Sequence, residues 1–345
     1  MTHLEGRTVD WLGMLLTWVF WVAVTCGALF GLFMAWIFYR YVGIIVRIFQ
    51  ERPIFIVPHG EALAEAEDVT FPTTDGLHLA GSYLHTPRER RKGVILFGTE
   101  YGSNRWSCLQ YCRQLLDEGF DIFTFEFRNC GESDSMPGYK PLQWLTNYEV
   151  EDVLAAARYL KSRPDADVRG IGFFGVSRGG NAGIVAAARE PYIRCLVTDG
   201  AFATIGTMVP YMQRWINLYS LVPAIYRVLP RWVYVLAARM ALWKMSRECG
   251  CRYPSVERAI AKLAPRPLLM IHGGADNYIR PEWAQELFAR AGEPKELWIV
   301  EKAKHNQAVL VAGEEYQERI CQFFHKHLAP LRKTRWESQE AVKSA

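Results

Sequence analysis

Ile171-Gly172-Phe173-Phe174-Gly175-Val176-Ser177-Arg178-Gly179-Gly180 decides the fold of this 345-residue chain. An apolar run, a Gly-x-Ser-x-Gly turn and the small-residue segment Gly180 to Arg189 read in order as a strand, a sharp turn and a helix. Glycines on both sides of the serine tolerate a strained backbone, and such a turn, a nucleophile elbow, lifts a hydroxyl to the end of a sheet. The five-residue pattern alone carries little, because glycine and serine recur in loops. The strand before it and the helix after it give it weight.

Outward from the elbow the pattern is that of an α/β domain. Upstream, Val69-Thr70-Phe71, the turn Thr74-Asp75-Gly76 and the alternating run Leu77 to Leu84 read as a β-hairpin. Val94 to Phe97, a helix with Cys108, Leu109, Cys112, Leu115 and Leu116 on one face, and Asp121 to Phe125 give strand, helix, strand, hence a parallel crossover. Val150, Val153, Leu154, Ala157 and Leu160 recur at helical spacing before the elbow strand, and Leu196-Val197-Thr198 forms a further buried strand. After a long interruption the sheet resumes with Pro267 to Ile271 and Leu297 to Val300, separated by a helix from Pro281 to Arg290. A closing helix spans Glu314 to His327, and 331–345 reads as a polar tail. There is no internal repeat. With half its residues hydrophobic, the chain can bury a large core and carry an appendage.

The formal charge of +4 is spread along the chain without a long basic run, which argues against nucleic acid as a partner. Eight cysteines in a chain this long do not make a disulfide framework, and no Cys-x-x-Cys with histidines at zinc spacing implies a metal. Cys108 and Cys112, one helical turn apart, and the close pair Cys249-Gly250-Cys251 read as free thiols rather than redox or metal pairs. Free thiols suit a reducing compartment.

Positions 11–39 contain no charged residue, which makes 29 uncharged positions between Asp10 and Arg40. About 20 apolar residues cross a bilayer, so the span allows a tilted transmembrane helix with Trp11, Trp36, Tyr39 and Tyr41 near the interfaces. Arg40 to Arg47 offers no small-residue cleavage site, which favours a retained anchor over a secretory signal. Residues 1–50 are therefore expected to form a single-pass anchor, followed by a linker over 51–67. Arg40, Arg47 and Arg52 outnumber Arg7, so the positive-inside rule places the remainder of the chain in the cytoplasm.

A serine hydroxyl needs a base to take its proton and a carboxylate to orient that base. Asp276 in Ile271-His272-Gly273-Gly274-Ala275-Asp276 lies just beyond one strand, and His305 in Glu301-Lys302-Ala303-Lys304-His305 just beyond the next. Asp199 competes as the acid and His272 as the base, but His272 precedes the acid turn and reads as structural; His59, His78 and His85 fall outside the site. The order Ser177, Asp276, His305 resembles that of the α/β-hydrolase superfamily, and the resemblance covers roughly Val69 to His327. Arg128-Asn129-Cys130-Gly131-Glu132-Ser133 is similar to that family's Arg-Gly-x-Gly-x-Ser turn, which is usually structural.

The resemblance implies an α/β-hydrolase fold, a mostly parallel sheet flanked by helices, with its core over 68–201 and 263–330. It implies Ser177, His305 and Asp276 as a catalytic triad, with no metal and no organic cofactor. It also implies an oxyanion hole made by the backbone N–H of Arg178 and a group from the loop after Phe97. There the chain departs from the family: many members have His-Gly and a small or apolar residue, whereas this one reads Phe97-Gly98-Thr99-Glu100-Tyr101-Gly102. By register Glu100 donates its N–H with its carboxylate turned away; the hydroxyl of Tyr101 is the alternative.

The interruption over 202–262 is too long for a plain loop and is expected to be a helical cap. It carries Tyr211, Trp215, Tyr219, Tyr226, Trp232, Tyr234, Trp243 and Tyr253, with Pro210, Pro223 and Pro230 breaking it into short helices. No acidic residue falls between Asp199 and Glu248, yet Arg214, Arg227, Arg231, Arg239, Lys244 and Arg247 do. That composition fits a membrane-surface face, or a lid whose aromatics line an apolar pocket. Either points to a lipid-like substrate. The expected activity is that of a membrane-anchored serine hydrolase cleaving a carboxylic ester or thioester with an apolar acyl group. A peptidase or acyltransferase of the same fold, or a non-catalytic hydrolase-fold binding protein, are the alternatives.

Overall fold

A computed structural model describes residues 11–50, 57–219 and 229–329. Its first element is the long helix α1 (Trp11–Gln50). The short apolar runs bounded by turns then become strands: β1 (Glu67–Pro72), β2 (His78–Leu84) and β3 (Gly93–Gly98), followed by α2 (Cys108–Asp117) and β4 (Phe120–Phe125). The chain continues through α3 (Asn147–Ser162), β5 (Ile171–Val176), α4 (Arg178–Ala187) and β6 (Ile193–Asp199). An insertion contributes α5 (Ile205–Tyr219), α6 (Arg231–Glu248) and α7 (Val256–Ile260). The sheet is completed by β7 (Leu268–Gly273) and β8 (Lys295–Val300), with α8 (Pro281–Phe288) between them and α9 (Ala308–Ala312) and α10 (Glu314–His327) after them.

The eight strands lie in the order β1-β2-β4-β3-β5-β6-β7-β8. The β1–β2 hairpin, with Phe71 opposite Leu79, joins antiparallel to β4, and every other pairing is parallel. Strands β3, β4, β5 and β7 are buried along their whole length, and β6 at every residue but Arg194, as parallel strands covered on both faces must be. Two apolar layers account for this. Phe71, Phe173 and Leu196 belong to one, with residues of α3, α4 and α7; Ile95, Tyr111, Phe174 and Phe324 belong to the other, with α2 and α10. A capping box, in which Thr146 and Glu149 satisfy one another's backbone donors, starts α3.

Because β3 and β5 to β8 run in one direction, their carboxyl ends share an edge. Glu100, Ser177, Asp199, Asp276 and His305 all sit at or just past those ends, where open α/β sheets bind ligands.

The insertion departs from expectation at Pro210, which lies inside α5 and does not break it. A helix tolerates such a proline where packing holds both of its sides, and Met208, Val209 and Met212 are all buried there. Pro223, Tyr226, Arg227, Arg52 and the expected polar tail lie outside the described residues.

Forty residues make α1 about 60 Å long. Among the described residues it is the one helix long and apolar enough to cross a membrane. Its large side chains from Trp11 to Tyr41 are mostly exposed, Trp18 and Trp21 by more than 60%. The last turns differ: Val42, Val46 and Phe49 are buried in a cluster with Trp144, Phe202, Met212, Tyr234, Ala238, Ala241 and Met245. Helix α6 supplies the last four of these, and Gln50 Nε2 donates to Glu248 Oε2 at 3.3 Å where both helices end.

Candidate active site

The turn that ends β5 holds Ser177 at φ 51°, ψ −117°, a conformation that a residue with a Cβ rarely adopts. Its N–H donates to the carbonyl of Asp199 at 2.7 Å, and its own carbonyl accepts from the N–H of Asn181 at 3.1 Å. The glycines beside it serve close approach. A Cβ on Gly179 would stand 2.2 Å from the carbonyl oxygen of Gly98, and one on Gly175 2.7 Å from the amide of Gly180. The elbow is thus pressed against the end of β3, which carries the expected oxyanion loop.

The hydroxyl of Ser177 lies 3.0 Å from Nε2 of His305, and Nδ1–H of His305 donates to Oδ2 of Asp276 at 2.7 Å. The other carboxylate oxygen of Asp276 accepts the backbone N–H groups of Tyr278 and Ile279, each at 2.8 Å. Those two bonds lock the orientation of the acid. All three side chains are buried. Serine, imidazole and carboxylate form the linked chain that lets a hydroxyl shed its proton as it attacks.

The competing residues are engaged elsewhere. Asp199 accepts the hydroxyl of Tyr316 on Oδ2 at 2.8 Å, and its Oδ1 is buried without a hydrogen-bond partner. Burial pushes its carboxyl up to about 7. His272 is fully buried, and its Nε2–H donates to the carbonyl of Ile279 at 2.8 Å. Burial also holds its imidazole below the usual range. It braces the loop that carries Asp276.

In the loop after β3, Glu100 is buried and its Oε1 accepts the hydroxyl of Tyr111 at 3.3 Å. Its carboxyl is pushed up to about 7, chiefly by burial, and Oε2 has no hydrogen-bond partner. The hydroxyl of Tyr101 donates to the carbonyl of Pro141 at 3.3 Å. Arg178 is buried and its guanidinium lies over the rings of Tyr101 at 4.9 Å and Phe127 at 5.3 Å. It also donates to the carbonyl of Leu142 at 2.9 Å and stands 3.5 Å from Glu149. The side chain of Arg178 is thereby drawn under the loop that follows β4.

The turn from Arg128 to Ser133 is a scaffold. Arg128 is fully buried and donates to Asp152 and Asp75, while a Cβ on Gly131 would overlap the carboxylate of Glu126. Cys108, Cys112 and Cys251 are buried free thiols, and burial pushes Cys108 up to about 12. Thiols so protonated are poor nucleophiles.

Of the aromatic residues near the triad, Tyr211 is one expected of the insertion, and Tyr278 escaped the sequence reading. Tyr278 lies edge-on to the imidazole of His305 with centroids 5.2 Å apart, and Tyr211 packs on Tyr278 at 5.8 Å. Tyr278 stands two residues past Asp276, a position that signals nothing until the turn is built.

A family model described as "Alpha/beta hydrolase family" matches residues 96–320, and the chain belongs to that family. The uncharacterized protein YfhR of Salmonella typhi is 25% identical over 267 residues, covering 72% of this chain and 78% of its own. The Arabidopsis thaliana alpha/beta hydrolase domain-containing protein WAV2 is 24% identical over 86% of this chain and 96% of its own. Among solved structures, the Pyrococcus furiosus esterase Pf2001 superposes with a TM-score of 0.58 at 22% identity, over 81% of this chain and all of its own. An Exiguobacterium antarcticum esterase gives 0.53 at 15%, over 74% and 99%. At these identities the structural likeness speaks for the fold.

Proposed function

We propose that this hydrolase is a membrane-anchored serine esterase that cleaves a carboxylic ester or thioester with an apolar acyl group through an acyl-enzyme. The observation that carries the reading is the chain of contacts from Ser177 through His305 to Asp276 on a strained elbow. Ser177 Oγ attacks the acyl carbon as its proton passes to Nε2 of His305, and Asp276 holds the imidazolium that forms. The tetrahedral oxyanion is met by the N–H of Arg178 and by that of Glu100, whose carboxylate is engaged with Tyr111. His305 then gives its proton to the departing alcohol or thiol. Water attacks the acyl-serine with His305 as base, and the proton returns to Ser177 as the acid leaves. Solved structures of similar fold that are named esterases favour an ester over an amide.

The burial of Val42, Val46 and Phe49 supports retention of α1 as an anchor, because a cleaved segment would strip three apolar side chains from the insertion's cluster. Arg40 and Arg47 at its carboxyl side favour a cytoplasmic domain. On α6, the helix α1 packs against, Trp232, Leu236, Met240 and Trp243 are exposed among Arg231, Arg239 and Lys244. This apolar and basic surface suits the interface of an anionic bilayer.

A fluorophosphonate probe and a series of nitrophenyl esters test the reading. Wild type should label and hydrolyse, and Ser177→Ala and His305→Ala should lose about 10⁴-fold or more in kcat/KM while still folding. Unchanged activity in either variant would refute the assignment, and preference for acetate alone would refute the apolar acyl group.

A further inference from the structure

Phe49 is the last buried residue of α1, and its ring reaches beyond the helix that α1 packs on. It stacks on Trp144, in the loop between β4 and α3, with centroids 5.3 Å apart and planes 23° apart. It also meets Tyr211 of α5 at 6.1 Å. Tyr211 lies edge-on to Tyr278 at 5.8 Å, and Tyr278 edge-on to His305 at 5.2 Å. Phe49, Tyr211, Tyr278 and His305 therefore form an unbroken row of rings from the apolar helix to the base. Tyr278 touches the triad twice, since its backbone N–H also donates to Asp276.

A mere tether requires only that a segment stay in the bilayer. Here the end of that segment is 3% exposed and wedged between Trp144 and Tyr211, residues of two different connections that flank the catalytic edge of the sheet. Close-packed rings cannot slide independently, so removing one lets its neighbours shift into the space. We propose that Phe49 is a positioning and specificity-determining residue: the end of the anchor helix fixes, through Tyr211 and Tyr278, the aromatic wall beside His305 against which an acyl chain lies. This rests on the serine-hydrolase reading. It makes the fit of a lipid-like ester depend on the same helix that enters the membrane.

The test uses the full-length protein in detergent micelles, with nitrophenyl acetate and nitrophenyl decanoate as substrates and fluorophosphonate labelling as a readout of Ser177. Phe49→Ala should lower kcat/KM for the decanoate about tenfold and for the acetate less than about threefold, with Phe49→Leu restoring most of the difference. Val42→Ala removes an equally buried but aliphatic side chain from the same helix. It should lower the melting temperature without changing the ratio of the two esters. If Phe49→Ala leaves that ratio at the wild-type value, or moves it no more than Val42→Ala does, the proposal is overturned while the hydrolase reading stands. A wild-type protein that neither labels nor cleaves either ester overturns both.

Discussion

The hydroxyl of Tyr316 donates to Oδ2 of Asp199 at 2.8 Å, and this bond commits the carboxyl at the end of β6 to the closing helix α10. His305 turns instead to Asp276, which is held by two backbone N–H groups. The two strand-end acids therefore have different partners. Asp276→Asn should leave the imidazole in the wrong tautomer and lower kcat by about 10³–10⁴-fold. Asp199→Asn keeps the size of the side chain and an acceptor for Tyr316, and should retain activity within about tenfold. Steady-state ester hydrolysis by the two variants decides between them; the opposite ranking would make Asp199 the acid.

The strain at Ser177 has a measurable consequence. Its φ of 51° costs a residue with a Cβ on the order of 1–3 kcal/mol, of which glycine is relieved. Part of that relief is offset by the greater freedom of glycine in the unfolded chain. Ser177→Gly and Ser177→Ala should both be inactive, with the glycine variant more stable than the alanine variant by about 1 kcal/mol in urea unfolding. Equal midpoints would mean that the strain released at the elbow is no larger than that offset.

The strands and the elbow were legible because their signals are local: short apolar runs, turn residues at their ends, and glycines where two backbones nearly touch, as at Gly179 and Gly98. Asp276 and His305 were legible only as strand-end residues in a given order, which narrows a search without excluding Asp199 or His272. What separates them in the structure is long-range. Tyr316 follows Asp199 by more than a hundred residues, and its hydroxyl bears no mark of its partner in the sequence. Phe49 was hidden for a different reason: α1 is apolar on all sides up to Tyr39, so its pattern reads as one uniform span and does not single out the last turns as buried against the insertion. Pro210 was misread as a breaker because the packing that holds α5 together on both sides of it lies in other elements.

Glu100 carries the last prediction. Its carboxyl is buried, shares its surroundings with Asp199, and is pushed from 4.5 up to about 7. The folded state therefore holds a proton that the unfolded chain has already released between these pH values. Folding stability contributed by this group is greatest below about pH 4.5 and falls as pH rises toward 7, by at most about 1.4 kcal/mol per pH unit. His272 works the other way: its imidazole is held neutral by burial, so its contribution is lost as pH falls below the unfolded value of 6.5. The wild-type profile mixes these with other buried groups such as Asp199, also pushed up to about 7, and a difference measurement isolates Glu100. Glu100→Gln keeps the shape and cannot ionise, so its stability relative to wild type should rise steadily from pH 4.5 to 7 and level off above. Urea unfolding of both proteins at pH 5, 6, 7 and 8 reads that difference directly, and a difference independent of pH would show that Glu100 ionises in the fold as it does in water.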